Sequence, residues 1–113
     1  MPGDLFLGLD LGTSGARAVV MDADGTQRAS ARSAMADHGD NLRSPAVWWA
    51  AARQALDGAL AQVDATRVAA LAVDGTSGTL LAVDDRGSPL ADGLMYNDAC
   101  TDTALLARIT DHA

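Results

Sequence analysis

Gly-Thr-Ser-Gly occurs twice in this chain, each time behind an aspartate that closes an apolar run: Asp10-Leu11-Gly12-Thr13-Ser14-Gly15 and Asp74-Gly75-Thr76-Ser77-Gly78. The runs before and after each loop have the length and composition of β-strands. A glycine-rich reversal at a strand end lets backbone N–H groups converge on one point, and the hydroxyls add further donors. A turn needs only its glycines, so the repeated hydroxyls point to ligand work. Two polar loops at the ends of neighbouring strands can face one crevice. The alternative is a pair of similar hairpin turns on opposite edges of a sheet.

The first copy sits in Leu5 to Asp22, LFLGLDLGTSGARAVVMD, which reads strand, tight turn, strand, the second strand (Ala16 to Met21) interrupted by Arg17. Asp10 at the rim of the loop is a hard oxygen ligand suited to Mg²⁺, directly or through water. Gly12, Thr13 and Ser14 then form a cradle for phosphate oxygens, unless the stretch is a plain hairpin with an ordinary Asp; taken alone, the motif leaves both readings open.

The formal net charge is −7 and the pI about 4.4. Such a surface repels nucleic acid and anionic lipid, so neither is expected as a main partner. A nucleotide-phosphate site has to draw its positive potential from backbone dipoles, a metal or Arg. The chain has no Lys and no Glu. That excludes, within it, a Walker A lysine, the Lys–Glu pair of protein kinases, Schiff-base chemistry and an HExxH metal site. One cysteine, Cys100, cannot form an internal disulfide, and with no signal peptide or bilayer-length apolar run a cytoplasmic setting is expected. Cys100, His38 and His112 lack metal-ligand spacing.

Along the chain, Asp22-Ala23-Asp24-Gly25 is a turn signal, and Thr26 to Ser33 suits a third, edge strand with Arg28 and Arg32 facing solvent. Met35 to Arg43 reads as loop. Ser44-Pro45 starts a helix, Ser as N-cap and Pro at N1. The helix is expected to reach Gln62 on a stripe of Val47, Trp48, Ala51, Ala52, Ala55, Leu56, Ala59 and Leu60, with core packing expected for both Trp48 and Trp49. Val68 to Val73 is the most hydrophobic strand candidate, expected as a buried central strand beside the first. Leu80 to Val83 resumes as strand, Asp84 to Gly87 turns, and Leu94-Met95-Tyr96 is a short apolar segment. Thr101 to Thr110 is a helix candidate capped by Asp98 or Thr101. With 113 residues the chain is long enough for one modest core.

Together, LGLDLGTSGARAVVMDADG, SPAVWWAAARQAL and VAALAVDGTSGTLLAVDDRGSPLADGLMYND resemble the FGGY carbohydrate kinases, of the actin-like ATPase superfamily, with wording nearest the D-ribulokinase and xylulokinase-like members. The resemblance implies an α/β, RNase H-like half-domain: a β-meander, a crossover helix and a further strand. It implies ATP and Mg²⁺, and transfer of the γ-phosphoryl to a hydroxyl of a sugar, a pentulose being the leading expectation. By motif, Asp10 would hold Mg²⁺ through water, and Gly12, Thr13 and Ser14 would line the phosphate end. Ser77 and Gly78 would meet the sugar, with Tyr96, Asn97 and Asp98 beside it. The alternative for Ser77 is a turn hydroxyl bonding its own backbone, and for Tyr96 ring packing. Many members carry an Arg just after that Asp, where this chain has Ala99 and Cys100. The family is several times longer. Its general base, second phosphate motif and adenosine-binding domain are not found here. Residues 1–113 are therefore expected to be the N-terminal portion of the first domain, inactive without the remainder. The other reading is a non-catalytic binding or regulatory domain that keeps the half-fold.

Overall fold

The computed structural model describes residues 3–112. The chain runs β1 (Leu5–Leu11), β2 (Gly15–Asp22), β3 (Gln27–Ala34), α1 (Pro45–Leu60), β4 (Val68–Asp74) and α2 (Thr103–His112), with short 3₁₀ turns at Met35–Asp37 and Ala65–Arg67. The sheet order is β3-β2-β1-β4. β1, β2 and β3 form an antiparallel meander, and β4 returns parallel to β1 after the helical crossover.

Alternation decides the faces. Leu5, Leu7 and Leu9 of β1, Ala16, Ala18 and Val20 of β2, and Ala29 of β3 point to one side and are buried. α1 covers that side with Val47, Ala51, Ala52, Ala55 and Ala59. Small residues on both surfaces bring helix and sheet close: a Cβ at Gly58 would stand 2.9 Å from the Ala31 methyl. Met35, fully buried, caps the end of this core. Ser33 is the buried polar residue there; its hydroxyl donates to Gln54 Oε1 and lies 2.7 Å from His38 Nε2. His38 therefore serves the packing of β3 on α1. Two turns share one construction. Asp22 Oδ1 accepts from the amides of Asp24 and Thr26 around Gly25, at φ +82°. Asp84 Oδ1 does the same for Arg86 and Ser88 around Gly87, at φ +81°.

Several expectations need correction. α1 ends at Leu60 rather than Gln62, and Ser44 stands at its N-cap without a side-chain cap bond. The stretch after β3 is loop except for the Met35–Asp37 turn. Trp48 packs at the margin of the core, but Trp49 is 63% exposed, with the Arg53 guanidinium 6.0 Å from its ring. β4 is neither central nor buried: it is an edge strand, and Leu71 and Val73 are 54% and 60% exposed. α1 lies over β2 and β3 and barely reaches β1, so among the described residues no helix covers β4 beyond Val68 at its start. An apolar run on both faces of a strand needs two covering layers; the described residues do not provide them. Leu80 to Val83 forms no strand, only isolated bridges, Leu80 to Leu94 and Val83 to Pro89. The last helix begins at Thr103, and the carboxylate of Asp102, not Asp98 or Thr101, accepts from its Leu105 amide. All its side chains are exposed.

Candidate functional site

Because β1 and β4 are adjacent and parallel, both Gly-Thr-Ser-Gly loops leave the sheet at the same end. Asp10 and Asp74 are register partners there. The loops are also joined directly: the Thr76 hydroxyl donates to the Leu11 carbonyl at 2.6 Å. Asp10 and Ser77 thus belong to loops that meet, and the opposite-edge arrangement is excluded.

On the sheet face opposite α1, the register aligns four charged residues in one row, Arg32, Arg17, Asp10 and Asp74 on β3, β2, β1 and β4. Like charges directly opposite each other are destabilising, so the row sets repulsion at both ends, offset by the opposite charges of Arg17 and Asp10, register partners at its centre. An anion above the arginines and a cation above the aspartates would relieve it further. A cavity of about 320 Å³ opens on the first side, lined by Asp10, Gly12, Ser14, Arg17 and Arg32 among others. A shallow depression on the second is bordered by Asp10, Arg17 and Asp74. Among the described residues no group of three or more His, Cys or Asp could hold a metal by itself. Two adjacent carboxylates open to solvent do fit Mg²⁺, which keeps several waters and takes one or two carboxylates plus phosphate oxygens.

Gly12 plays a different part from the one its position suggests. Its N–H donates to the Gly15 carbonyl at 2.9 Å, so that amide closes the reversal instead of pointing outward. The Ser14 carbonyl accepts from Met35, which anchors the loop to the end of β3. Ser14 lines the cavity beside the arginines, whereas Thr13 lines a second one of about 220 Å³, with Trp48, Thr76, Thr79 and Met95. Gly12 borders both.

The sugar-segment candidates lie beyond Thr76. Gly78 has φ +75°, and a Cβ there would stand 2.7 Å from the Tyr96 Cβ. The structure therefore brings Gly78 and Tyr96 into backbone contact, while the Tyr96 ring is 69% exposed. Ser77 and Asn97 are exposed and are not among the residues lining the two cavities. Asp98 is engaged: it accepts from Arg43 Nε at 2.9 and 3.1 Å, forms an ion pair with Arg43 Nη2, and accepts the Met95 amide at 2.9 Å. The Arg43 hydrogen bonds first, and then the Met95 amide, pull the Asp98 carboxyl down to a pKa of about 2.

The family model describing the N-terminal domain of the FGGY family of carbohydrate kinases matches residues 5–109. The chain belongs to the FGGY family. Solved structures similar to this FGGY chain include a xyloylose kinase from Brucella ovis, 21% identical over 96% of the chain with a TM-score of 0.76. A xylulose kinase from Rhodospirillum rubrum is 22% identical over 94%, with a TM-score of 0.71. A gluconate kinase from Lactobacillus acidophilus is 16% identical over 96%, with a TM-score of 0.73. The FGGY chain spans 24%, 23% and 23% of these three proteins, about a quarter of each. The likeness shows the α/β fold expected for an actin-like ATPase half-domain.

Three further residues bear on the site of this FGGY chain. Arg17 interrupts an apolar strand, and its register with Asp10 follows from the hairpin. Thr76 occupies the place of Thr13 in the repeated motif, which was its signal. Arg43 lies 55 residues from Asp98, and no local pattern marks the pairing.

Proposed function

We propose that this chain forms the opening part of an ATP-dependent carbohydrate kinase acting on a pentulose, ribulose or xylulose. The observation that carries the proposal is the hydroxyl bridge from Thr76 to Leu11, which fastens the two loops at one end of the sheet beside the Arg17–Asp10–Asp74 row. Membership of the FGGY family supports the chemistry, and the xylulose kinase among its structural neighbours supports the sugar class.

In this reading Gly12, Thr13 and Ser14 line the phosphate end. Arg17, with Arg32 behind it, supplies the positive potential that a chain of net charge −7 withholds elsewhere. Asp10 and Asp74 would hold Mg²⁺, which would supply charge neutralisation to the transferring phosphoryl group. Ser77, Gly78, Tyr96 and Asn97 face the sugar. A sugar oxygen bonds to the γ-phosphorus, the bond to the β–γ bridging oxygen breaks, and ADP leaves. The hydroxyl proton passes to a general base, which the family resemblance puts outside residues 1–113. Phosphoryl transfer depends mostly on positioning and charge stabilisation, so half of the cradle alone should be inactive.

The test is ADP release by the full-length protein at saturating Mg·ATP, with ribulose, xylulose, gluconate and glycerol as acceptors. Sugar-dependent ADP formation strongest with a pentulose is the expected result. Sugar binding with no sugar-dependent turnover favours the non-catalytic binding domain instead, and preference for another acceptor corrects the substrate class.

A further inference from the structure

Residues 92–98 contain no helix or strand, yet they carry the sugar-facing candidates Tyr96 and Asn97. They are tied to the preceding segment by the bridge of Leu80 with Leu94 and by the Thr79 hydroxyl, which donates to Met95 Sδ at 3.7 Å. Further fastenings come from the loop just before α1 and from the start of α1. Asn41 Nδ2 donates to Asp92 Oδ2 at 2.7 Å, and the Arg43 carbonyl accepts from Gly93 at 2.8 Å. Gly93 lies so close to Trp48 that a Cβ would stand 2.2 Å from the ring. Trp48 Nε1 in turn donates to the Leu42 carbonyl at 2.7 Å. At the far end, Asp98 closes the turn containing Tyr96 and Asn97: its own N–H donates to the Met95 carbonyl at 3.0 Å, and its Oδ2 accepts the Met95 amide. The guanidinium of Arg43 grips that same carboxylate through two nitrogens.

We propose that Arg43 is a positioning residue for the sugar, acting through Asp98. This rests on the kinase reading and goes beyond it. A planar guanidinium fork fixes both the distance and the rotation of a carboxylate. Here the fixed carboxylate is the one that shapes the Tyr96–Asn97 turn and holds it against Gly78. Asp98 then organises the segment, and its oxygens are committed to Arg43 and Met95. Arg43, 55 residues away in sequence, brings its guanidinium to the carboxylate from the loop before α1.

The experiment uses steady-state kinetics of the full-length protein with its best sugar. Arg43→Met should raise the sugar KM on the order of tenfold to a hundredfold, the scale of an ångström-size misplacement. The KM for Mg·ATP should stay within about twofold, since Asp10, Ser14 and Arg17 are untouched. Asp98→Asn combined with Arg43→Met should be no worse than the more damaging single change, because both remove one contact. Arg43→Lys, which keeps the charge without the fork, should recover part of the loss; it also carries the test if Arg43→Met is not recovered folded. An unchanged sugar KM in a folded Arg43 variant refutes the positioning role and leaves the kinase reading standing, as does an equal loss toward sugar and Mg·ATP. A wild-type protein with no sugar-dependent turnover refutes the kinase reading and this role with it.

Discussion

Gly78→Ala tests whether the two loops and the Tyr96 segment act as one sugar-binding surface. Two penalties add at this position. Gly78 has φ +75°, where an L-residue with a Cβ costs about 1–2 kcal/mol. The new methyl would also stand 2.7 Å from the Tyr96 Cβ and 3.3 Å from its Cα, and neither atom is the free end of a side chain. The main chain at Tyr96 must retreat. If the full-length protein has to recover this geometry to bind sugar, about 1–2 kcal/mol drawn from binding raises the sugar KM roughly 5- to 30-fold. Two controls separate the terms. Gly87 has φ +81° with nothing within 4 Å of its Cβ position, so Gly87→Ala brings strain without collision. It should lower stability and leave the sugar KM alone. At Gly75 neither strain nor collision is present, so Gly75→Ala should change KM by less than about twofold. The assay is coupled ADP release at saturating Mg·ATP with sugar varied. A Gly78→Ala enzyme with wild-type sugar KM would refute the reasoning, because the Gly78–Tyr96 contact would then have no bearing on the sugar.

Asp10→Ala should reduce turnover on the order of a hundredfold or more with little change in sugar KM, because it acts on the phosphoryl step; near-normal kcat in the full-length enzyme would return β1–β2 to a plain hairpin. Ser77→Ala should do the reverse, raising the sugar KM with a smaller loss of turnover, as read from the same kinetics. The Asp98 carboxyl is depressed from its ordinary 3.8 to about 2, so its contribution to stability is complete above pH 4 and is lost as pH falls through 2. Acid titration followed by tyrosine and tryptophan fluorescence should show that loss in the wild type and not in Asp98→Asn.

The meander was legible in sequence because its apolar runs of strand length are separated by glycine turn signals, and α1 because its stripe repeats every three to four residues. The structure adds the alternation of Leu5, Leu7 and Leu9 with Phe6, Gly8 and Asp10. β4 shows the limit of that signal. Its continuous apolar run identified a strand but described the surroundings it is suited to, which the described residues do not supply. Leu80 to Val83 failed for a related reason: its composition suits a strand, but its bridges reach only Leu94 and Pro89 and never extend into a ladder. At the site, the shared end of the two loops followed from a parallel crossover, so their meeting could be deduced. The Arg43–Asp98 fork could not, since it depends on how two irregular segments close over Trp48.

The bare edge of β4 also has a consequence in time. β1, β2, β3 and α1 all precede β4 in the chain, so they can fold during synthesis as soon as β4 emerges, with Leu71 and Val73 on an unpaired apolar edge. Such an edge is a template for pairing with another nascent chain on the same message. Crowded polysomes are therefore a setting in which this sequence is exposed to aggregation.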